Sequence, residues 1–282
     1  MLTNSQDCFP QRRQARKGVL IKSAQVILTT FILGCAAQAQ QPFVTDDADT
    51  TPHHHFHFEF SNEFDLLQRS ALPNAKQNTA DFELDYGLLN NVEIGIESPW
   101  LTIINTRGAT PARVSGVGDT NLSLKYNFLK EVERSRRPAL AIALNLELPT
   151  GDTHRQLGSG LSDFYMNLIM QKSLNSTVKL RLNGGVLFSG NDTTGVIGIK
   201  TRGTVYTSGG SIVKQINSRL QVGGELTGAV SKFDQLGKGQ LQAQFGGNYQ
   251  LRSNISFDFG VIAGRYSASP RLGAQVGLSI DF

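Results

Sequence analysis

From Leu272 to the terminal Phe282 every even position is apolar: Leu272, Ala274, Val276, Leu278, Ile280 and Phe282. Gly, Gln, Ser and Asp fill the odd positions. A period of two belongs to a strand whose side chains alternate between two faces, here one greasy and one wet. The pattern recurs upstream. Phe56, Phe58 and Phe60 alternate with His57, Glu59 and Ser61, and Phe82, Leu84 and Tyr86 with Glu83 and Asp85. Val92, Ile94 and Ile96 alternate with Glu93 and Glu97, and Leu122, Leu124, Tyr126 and Phe128 with Lys125 and Asn127. Further runs around residues 140–148, 164–170, 178–188, 220–230, 241–249 and 255–263 keep the rule. Residues 203–215 do not hold one parity, and a strand is expected there only because its neighbours need a partner. The total is about twelve strands.

A soluble sandwich would alternate in the same way, with its apolar face turned to a shared core. Three features favour a membrane barrel instead. Asn90-Asn91, Asn175-Ser176, Asn217-Ser218 and Ser253-Asn254 are tight turns, with Lys130–Pro138 the longer member of that set. The opposite set is mostly longer: 66–79, 99–117, 149–162, 189–202, 232–239 and 266–271. Short periplasmic turns facing long outer loops are the habit of outer-membrane barrels. An even strand number puts both termini on the short-turn side. Strands of about ten residues suit a tilted crossing of the hydrocarbon. The fold class expected is therefore all-β, a transmembrane up-and-down antiparallel β-barrel. Closure follows from chemistry, because an unpaired backbone N–H or C=O in lipid costs several kcal/mol and a closed sheet has no edge. Glycine pairs within strands (Gly184-Gly185, Gly223-Gly224, Gly246-Gly247) would weaken an ordinary sheet, but inside a narrow barrel they leave room.

The amino-terminal end fits export. Arg12, Arg13, Arg16, Lys17 and Lys22, against Asp7 alone, account for the formal charge of +4. The remainder is balanced, so the composition carries no basic face for nucleic acid. A short apolar core over 26–35 and the small-x-small triplet Ala37-Gln-Ala39 read as a cleaved signal peptide over 1–39. A membrane anchor and lipoprotein processing at Cys35 are the alternatives. Both cysteines, Cys8 and Cys35, lie in that leader, so the mature chain would have neither a disulfide nor a cysteine metal site. Residues 40–54, polar and acidic, are expected to be a periplasmic arm, and residues 55–282 the barrel.

Chemistry could reside in three places. His53, His54, His55 and His57 could bind a metal, but only His55 and His57 share a face, and a rim position explains the run as well. His154 has no matched serine motif, so a lipid hydrolase is only a remote alternative. Neither metal nor cofactor is expected. The third place is the lumen, lined by Glu59, Glu83, Asp85, Glu93 and Glu97 from the early strands and by Lys125, Lys179 and Arg181 from later ones, with Glu147, Glu225 and Asp258. Opposed acidic and basic walls would set up a transverse field. Alternatively these charges pair and plug the barrel.

Several segments together resemble the outer-membrane barrels of the MetA-pathway of phenol degradation family. They are Thr45-Asp46-Asp47, Gly116-Val-Gly118-Asp119 leading into Leu124-Lys125-Tyr126, Leu148-Pro149-Thr-Gly151-Asp152, and Gly158-Ser-Gly160 with Asp163, closed by the terminal Phe282. The resemblance implies a Gram-negative outer-membrane location and passage of small, hydrophobic or aromatic compounds. Gly116, Gly118, Asp119, Pro149, Gly151 and Asp152 would sit at the outer mouth as turn residues. The expected partners are outer-membrane lipid and lipopolysaccharide, the barrel-assembly machinery reading Phe282, and an unidentified solute. The function expected is a passive channel; the alternative is a structural or adhesive barrel with a plugged lumen.

Overall fold

The computed structural model describes residues 42–68, 76–104, 111–132, 136–189, 203–231, 240–266 and 269–282. The leader expected over 1–39, and most of the outer connections around 69–75, 105–110, 190–202 and 232–239, lie outside the described residues.

The described strands are β1 (Phe56–Leu66), β2 (Lys76–Leu89), β3 (Val92–Ile104), β4 (Arg113–Val117), β5 (Thr120–Leu129), β6 (Ala139–Leu148), β7 (Asp163–Ser173), β8 (Val178–Ser189), β9 (Gly203–Gln215), β10 (Leu220–Ser231), β11 (Gln240–Arg252), β12 (Ile255–Arg265) and β13 (Leu272–Asp281). All pairings are antiparallel, and each strand pairs with its chain neighbours except β4 and β5, which both pair with β3. The sheet closes on itself because β1 runs against β13 from His57↔Asp281 to Leu66↔Leu272. Phe282 completes the seam: its N–H donates to the Phe56 carbonyl at 3.0 Å, and the Phe56 N–H donates to the Phe282 carbonyl at 2.7 Å.

Strands β4 and β5 share one stave. The lower part of β3 pairs β5 from Val92↔Tyr126 to Glu97↔Asn121, and its upper part pairs β4 from Trp100↔Val117 to Ile104↔Arg113. The barrel thus has the 12 staves expected. The stretch 99–117, expected as a loop, is largely a continuation of that hairpin. It escaped notice because the greasy parity breaks at Ser98-Pro99 and the inward positions Leu101 and Ile103 are themselves apolar and buried. Residues 203–215 form β9. Its parity is blurred because Val205 and Val213 point inward, among Thr207 and Ser211, while Tyr206 and Ile212 point outward.

The radial distribution of polarity decides between sandwich and membrane barrel. The inward parity of nearly every strand is polar and buried, for example Glu59, Ser61, Glu63 and Asp65 on β1. The outward parity is apolar and exposed, for example Phe64, Phe82, Leu124, Leu168, Leu226, Phe245 and Val261. Phe245 keeps 61% of its surface and Asp258 only 1%. In water this arrangement would expose a continuous greasy belt; in a bilayer it meets acyl chains.

Turn chemistry sets the short rim. The Asn175 carboxamide oxygen accepts from the Thr177 and Val178 amides, both at 2.9 Å, and Asn217 does the same for Arg219 and Leu220. At the longer β5–β6 connection, Glu131 pairs with Lys172 and accepts from the Ser173 amide at 3.1 Å. Partial burial pushes the Glu131 carboxyl up, but the Lys172 and Ser173 bonds outweigh it and hold the group below the usual carboxylate range. Its folded value therefore lies below its unfolded one. The contribution is complete at neutral pH and is lost as the pH falls through the carboxylate range. Exchange of the Ser173 amide, corrected for intrinsic chemistry, is expected to be faster at about pH 4 than at about pH 7, and Glu131→Gln is expected to remove that difference.

Candidate functional site

The interior is not empty. Residues 42–51 were expected on the periplasmic side, but they run along the inside of the barrel. At the rim the chain reverses through Pro52–His55, where the His55 amide donates to the Pro52 carbonyl at 3.0 Å and His54 takes a left-handed φ of 64°. The His54 amide donates to the Gly87 carbonyl at 2.9 Å, and the Gly87 amide to His55 at 3.1 Å. Gly87 is required there: a Cβ would lie 2.1 Å from the Pro52 carbonyl oxygen and 2.5 Å from that of Thr51.

From this turn the arm touches strand after strand. The Thr51 amide and hydroxyl donate to Glu93 at 2.7 and 2.9 Å. Asp49 accepts from Gln171 at 2.8 Å and lies 3.9 Å from Lys179. Asn127 donates to the Ala48 carbonyl. Asp47 pairs with Arg181 at 2.8 Å, and Asp46 with Lys125 at 3.2 Å. The Thr45 amide and hydroxyl and the Val44 amide all donate to Glu225, at 2.8, 2.7 and 2.9 Å. Gln244 donates to the Pro42 carbonyl.

Small inward residues make the space. Ala48 is fully buried against Ala139, Ala141, Ala143 and Ile169. Phe43 lies over Gly223 and Pro42 over Gly246, where an added Cβ would come within 3.1 and 3.2 Å of them. Of the strand glycine pairs, Gly185, Gly223 and Gly246 face inward, while Gly184 has open space beside it. Ordering an extended segment costs about 1–2 kcal/mol per residue in backbone entropy. The ion pairs, the bonds to Glu225 and the burial of Phe43 and Ala48 offset that cost.

The lumen candidates all lie on the inner parity. Glu59, Glu83, Asp85, Glu93, Glu97, Lys125, Arg181, Glu225 and Asp258 are buried, and Glu147 and Lys179 are partly so. The walls are not simply opposed, however. Lys125 stands directly across from Glu93 on the neighbouring strand, 3.5 Å away. Arg181, on β8, pairs with Asp47 of the arm and also donates to Gln171 on the neighbouring strand at 3.0 Å. Sequence reading did not include Glu63, Asp65 and Asp81, which carry the inward parity of β1 beyond Ser61 and that of β2 ahead of Glu83. Asp163 also lines the interior, in register with Glu147. Its place two residues before Tyr165 and four before Asn167 on one parity was the available signal.

His57 stands at the short-turn end of β1 but faces inward. It is buried, and its Nδ1 lies 2.7 Å from Asp281 across the closing seam. His53 and His54 stack on each other at 3.7 Å, and no group of three or more His, Cys, Asp or Glu among the described residues could hold a metal ion. His154 is exposed in a 3₁₀ turn (Thr153–Arg155), and its ring has no partner among the described residues.

The outer motif residues form a latch. Asp119, at the junction of β4 and β5, accepts from the Gly151 amide at 2.9 Å and the Ser159 amide at 2.7 Å. Thr150 donates to the Gly118 carbonyl at 3.0 Å, and Asp152 accepts from the His154 and Arg155 amides. Leu157 packs over Gly116, where a Cβ would meet it at 2.7 Å. Pro149 begins this loop in an exposed position. Among the described residues β4 pairs with β3 alone, and the loop reaches it through Arg155, which donates to the Ser115 carbonyl at 3.0 Å. Hydrogen bonds to a charged acceptor contribute about 1.5–3 kcal/mol each. Asp119→Ala is thus expected to lower stability by about 3 kcal/mol, read as a lower melting temperature in detergent, with Asp119→Asn milder because its oxygen still accepts.

The profile of the family described as "Putative MetA-pathway of phenol degradation" matches residues 45–282. The chain belongs to that family. No curated protein matches the sequence. Among solved structures, an outer-membrane channel from Pseudomonas putida F1 is 15% identical with a TM-score of 0.65, the match covering 84% of this chain and 98% of that one. The NanC porin is 11% identical with a TM-score of 0.54, covering 80% and 98%. The KdgM porin is 13% identical with a TM-score of 0.53, covering 80% and 99%. At these identities the likeness establishes the fold, which this family member shares with outer-membrane channels and porins. None of the three is described as an enzyme.

Proposed function

We propose that this protein is a passive conduit for small molecules across the outer membrane, of the hydrophobic or aromatic class suggested by its family. The observation that carries the proposal is the barrel itself, apolar outside and lined inside by charged and amide side chains. Such an interior suits a pathway better than a structural core. The arm then sets the conducting state: with residues 42–51 docked the lumen is occupied, and passage requires the arm to shift. Export uses the cleaved leader over 1–39. Assembly uses Phe282 as the terminal aromatic, and lipid with lipopolysaccharide surrounds the apolar belt.

The docked arm also favours a second reading, a structural or adhesive barrel whose lumen stays plugged. Reconstitution in planar bilayers separates the two. Conductance steps from correctly inserted protein, enlarged when the arm's ion pairs are removed, support the conduit. Silence from wild type and arm-released variants alike leaves the structural barrel.

A further inference from the structure

Three basic residues stand on the lipid-facing parity at the outer end of one side of the barrel. Lys76 opens β2, Arg113 opens β4 and Arg265 closes β12, and all three are exposed. Register sets them near one another. Arg113 pairs with Ile104, Ile104 with Lys76, and Lys76 with Leu66. Leu66 pairs with Leu272 across the closing seam and Leu272 with Ala263, and Arg265 lies just beyond Ala263 on the same face. With strands about 4.8 Å apart, Arg113 and Lys76 lie about 10 Å apart along the sheet, so their long side chains can share one anion. Among the described residues none of the three forms an ion pair. No acidic residue lies on the outward parity of a described strand, and the flanking connections 69–75, 105–110 and 267–268 contain no Asp or Glu. The rest of the outer rim differs: β6, β7, β8, β10 and β11 present Leu148, Phe164, Phe188, Val230 and Leu241 outward.

Below Lys76 the lipid-facing row turns polar. Asn62 and Asn78, set among Phe60, Phe64 and Phe82, exchange carboxamide hydrogen bonds at 3.3 and 3.0 Å. Next along the same row the Thr102 and Ser115 hydroxyls lie 2.9 Å apart. Acyl chains offer such groups no partner, and a carboxamide has more bonding sites than one exchange fills. We propose that this face binds the phosphorylated sugar headgroup of lipopolysaccharide. Lys76 and Arg113 take one phosphate, Arg265 takes a second beyond the seam, and the carboxamides meet the sugar hydroxyls. The acyl chains then lie on Phe64 and Leu272. A guanidinium holds phosphate through two parallel hydrogen bonds, and that of Arg265 lies 5.8 Å from the centre of the Tyr266 ring, which supports it. The site rests on the outer-membrane placement, not on the conduit.

The test uses protein produced from residue 40 onward, folded in detergent free of lipopolysaccharide and titrated with bisphosphorylated lipid A. Trp100, the single tryptophan, is 48% exposed on this face, in register with Ala80 and Val117, and reports binding by its fluorescence. A base near an anionic lipid surface contributes about fivefold. Lys76→Gln is therefore expected to weaken binding about fivefold, and the triple variant Lys76→Gln/Arg113→Gln/Arg265→Gln about a hundredfold. Lys214→Gln/Arg219→Gln/Arg252→Gln, which removes three exposed bases at the short rim, leaves affinity unchanged. Heat-modifiable migration checks that each barrel is closed; if the outer triple does not close, the single variants carry the comparison. Equal affinity in wild type and the outer variants overturns the site, as does equally tight binding of phosphate-free lipid A or of inorganic phosphate. A dimer that forms without lipid A and is lost in the outer triple assigns the face to a second copy and overturns it too. Charge-dependent lipid A binding by a protein silent in planar bilayers sinks the conduit and keeps the site, whereas failure of the wild type to insert in lipid removes the membrane placement itself.

Discussion

Replacing Asp47 with Asn is expected to release the arm from the lumen without unfolding the barrel. Asp47 and Arg181 are joined at 2.8 Å, with side-chain exposures of 14% and 5%. Removing one member of a buried pair costs about 3–5 kcal/mol, because the partner's charge is left stranded. Here that cost falls on docking, since no described strand pairing depends on Asp47. A shift of that size changes the docked-to-released ratio by about two to four orders of magnitude. Both cysteines, Cys8 and Cys35, precede residue 40, so Ala48→Cys in protein produced from residue 40 onward provides a clean reporter. Its thiol, at a fully buried position, is expected to resist an impermeant maleimide in the otherwise wild-type chain and to react quickly in the Asp47→Asn background. Single-channel conductance is expected to rise in parallel. Arg181→Gln should behave alike, and the double variant should be no worse than either single one. If the double variant's effect equals the sum of the singles, the two residues do not act on the arm through each other.

Gly87→Val, near the end of β2, is expected to be the most damaging single change to the docking of the arm. Its Cβ would lie 2.1 Å from the Pro52 carbonyl oxygen and 2.6 Å from the Pro52 carbonyl carbon. Those are backbone atoms, so no rotamer change relieves the clash. The reversal at 52–55 would have to open, losing the two Gly87 backbone bonds and the bridge between His53 and Gly87. The predicted result is a barrel whose arm cannot enter. Ala48→Cys should label as fast there as in Asp47→Asn, while heat-modifiable migration in gels, a measure of the closed barrel, is retained. Gly87→Ala should have most of the same effect. Gly184→Ala is the matched control, because nothing lies within 4 Å of the position its Cβ would take.

How far this could be read in advance differs between wall and filling. The alternation around Leu124, Leu226 and Val276 is a local property, and it gave the staves and their faces without any tertiary information. It failed where the interior itself turns apolar, at Leu101, Ile103, Val205 and Val213, since an inward valine and an outward one look the same in a string. Asp46 and Asp47 were singled out by family resemblance, yet nothing local says that an acidic arm turns inward. That depends on Lys125, Lys179 and Arg181, more than seventy residues away, and on Gly87 at the reversal. Inward glycines and alanines were visible as breaks in packing, but their occupant was not.

Period-two polarity and the alternation of short with long connections by themselves gave the staves and favoured a lipid-facing barrel, because each depends only on neighbours along the chain and on the solvent outside. Only the closed structure decided what fills the lumen. Bringing Phe56 against Phe282, pairing both buried bases with the arm, and setting Arg265 on the same side as Lys76 across the seam all require the sheet to curl shut, since each sets side by side groups whose proximity exists only across strands or across the bore.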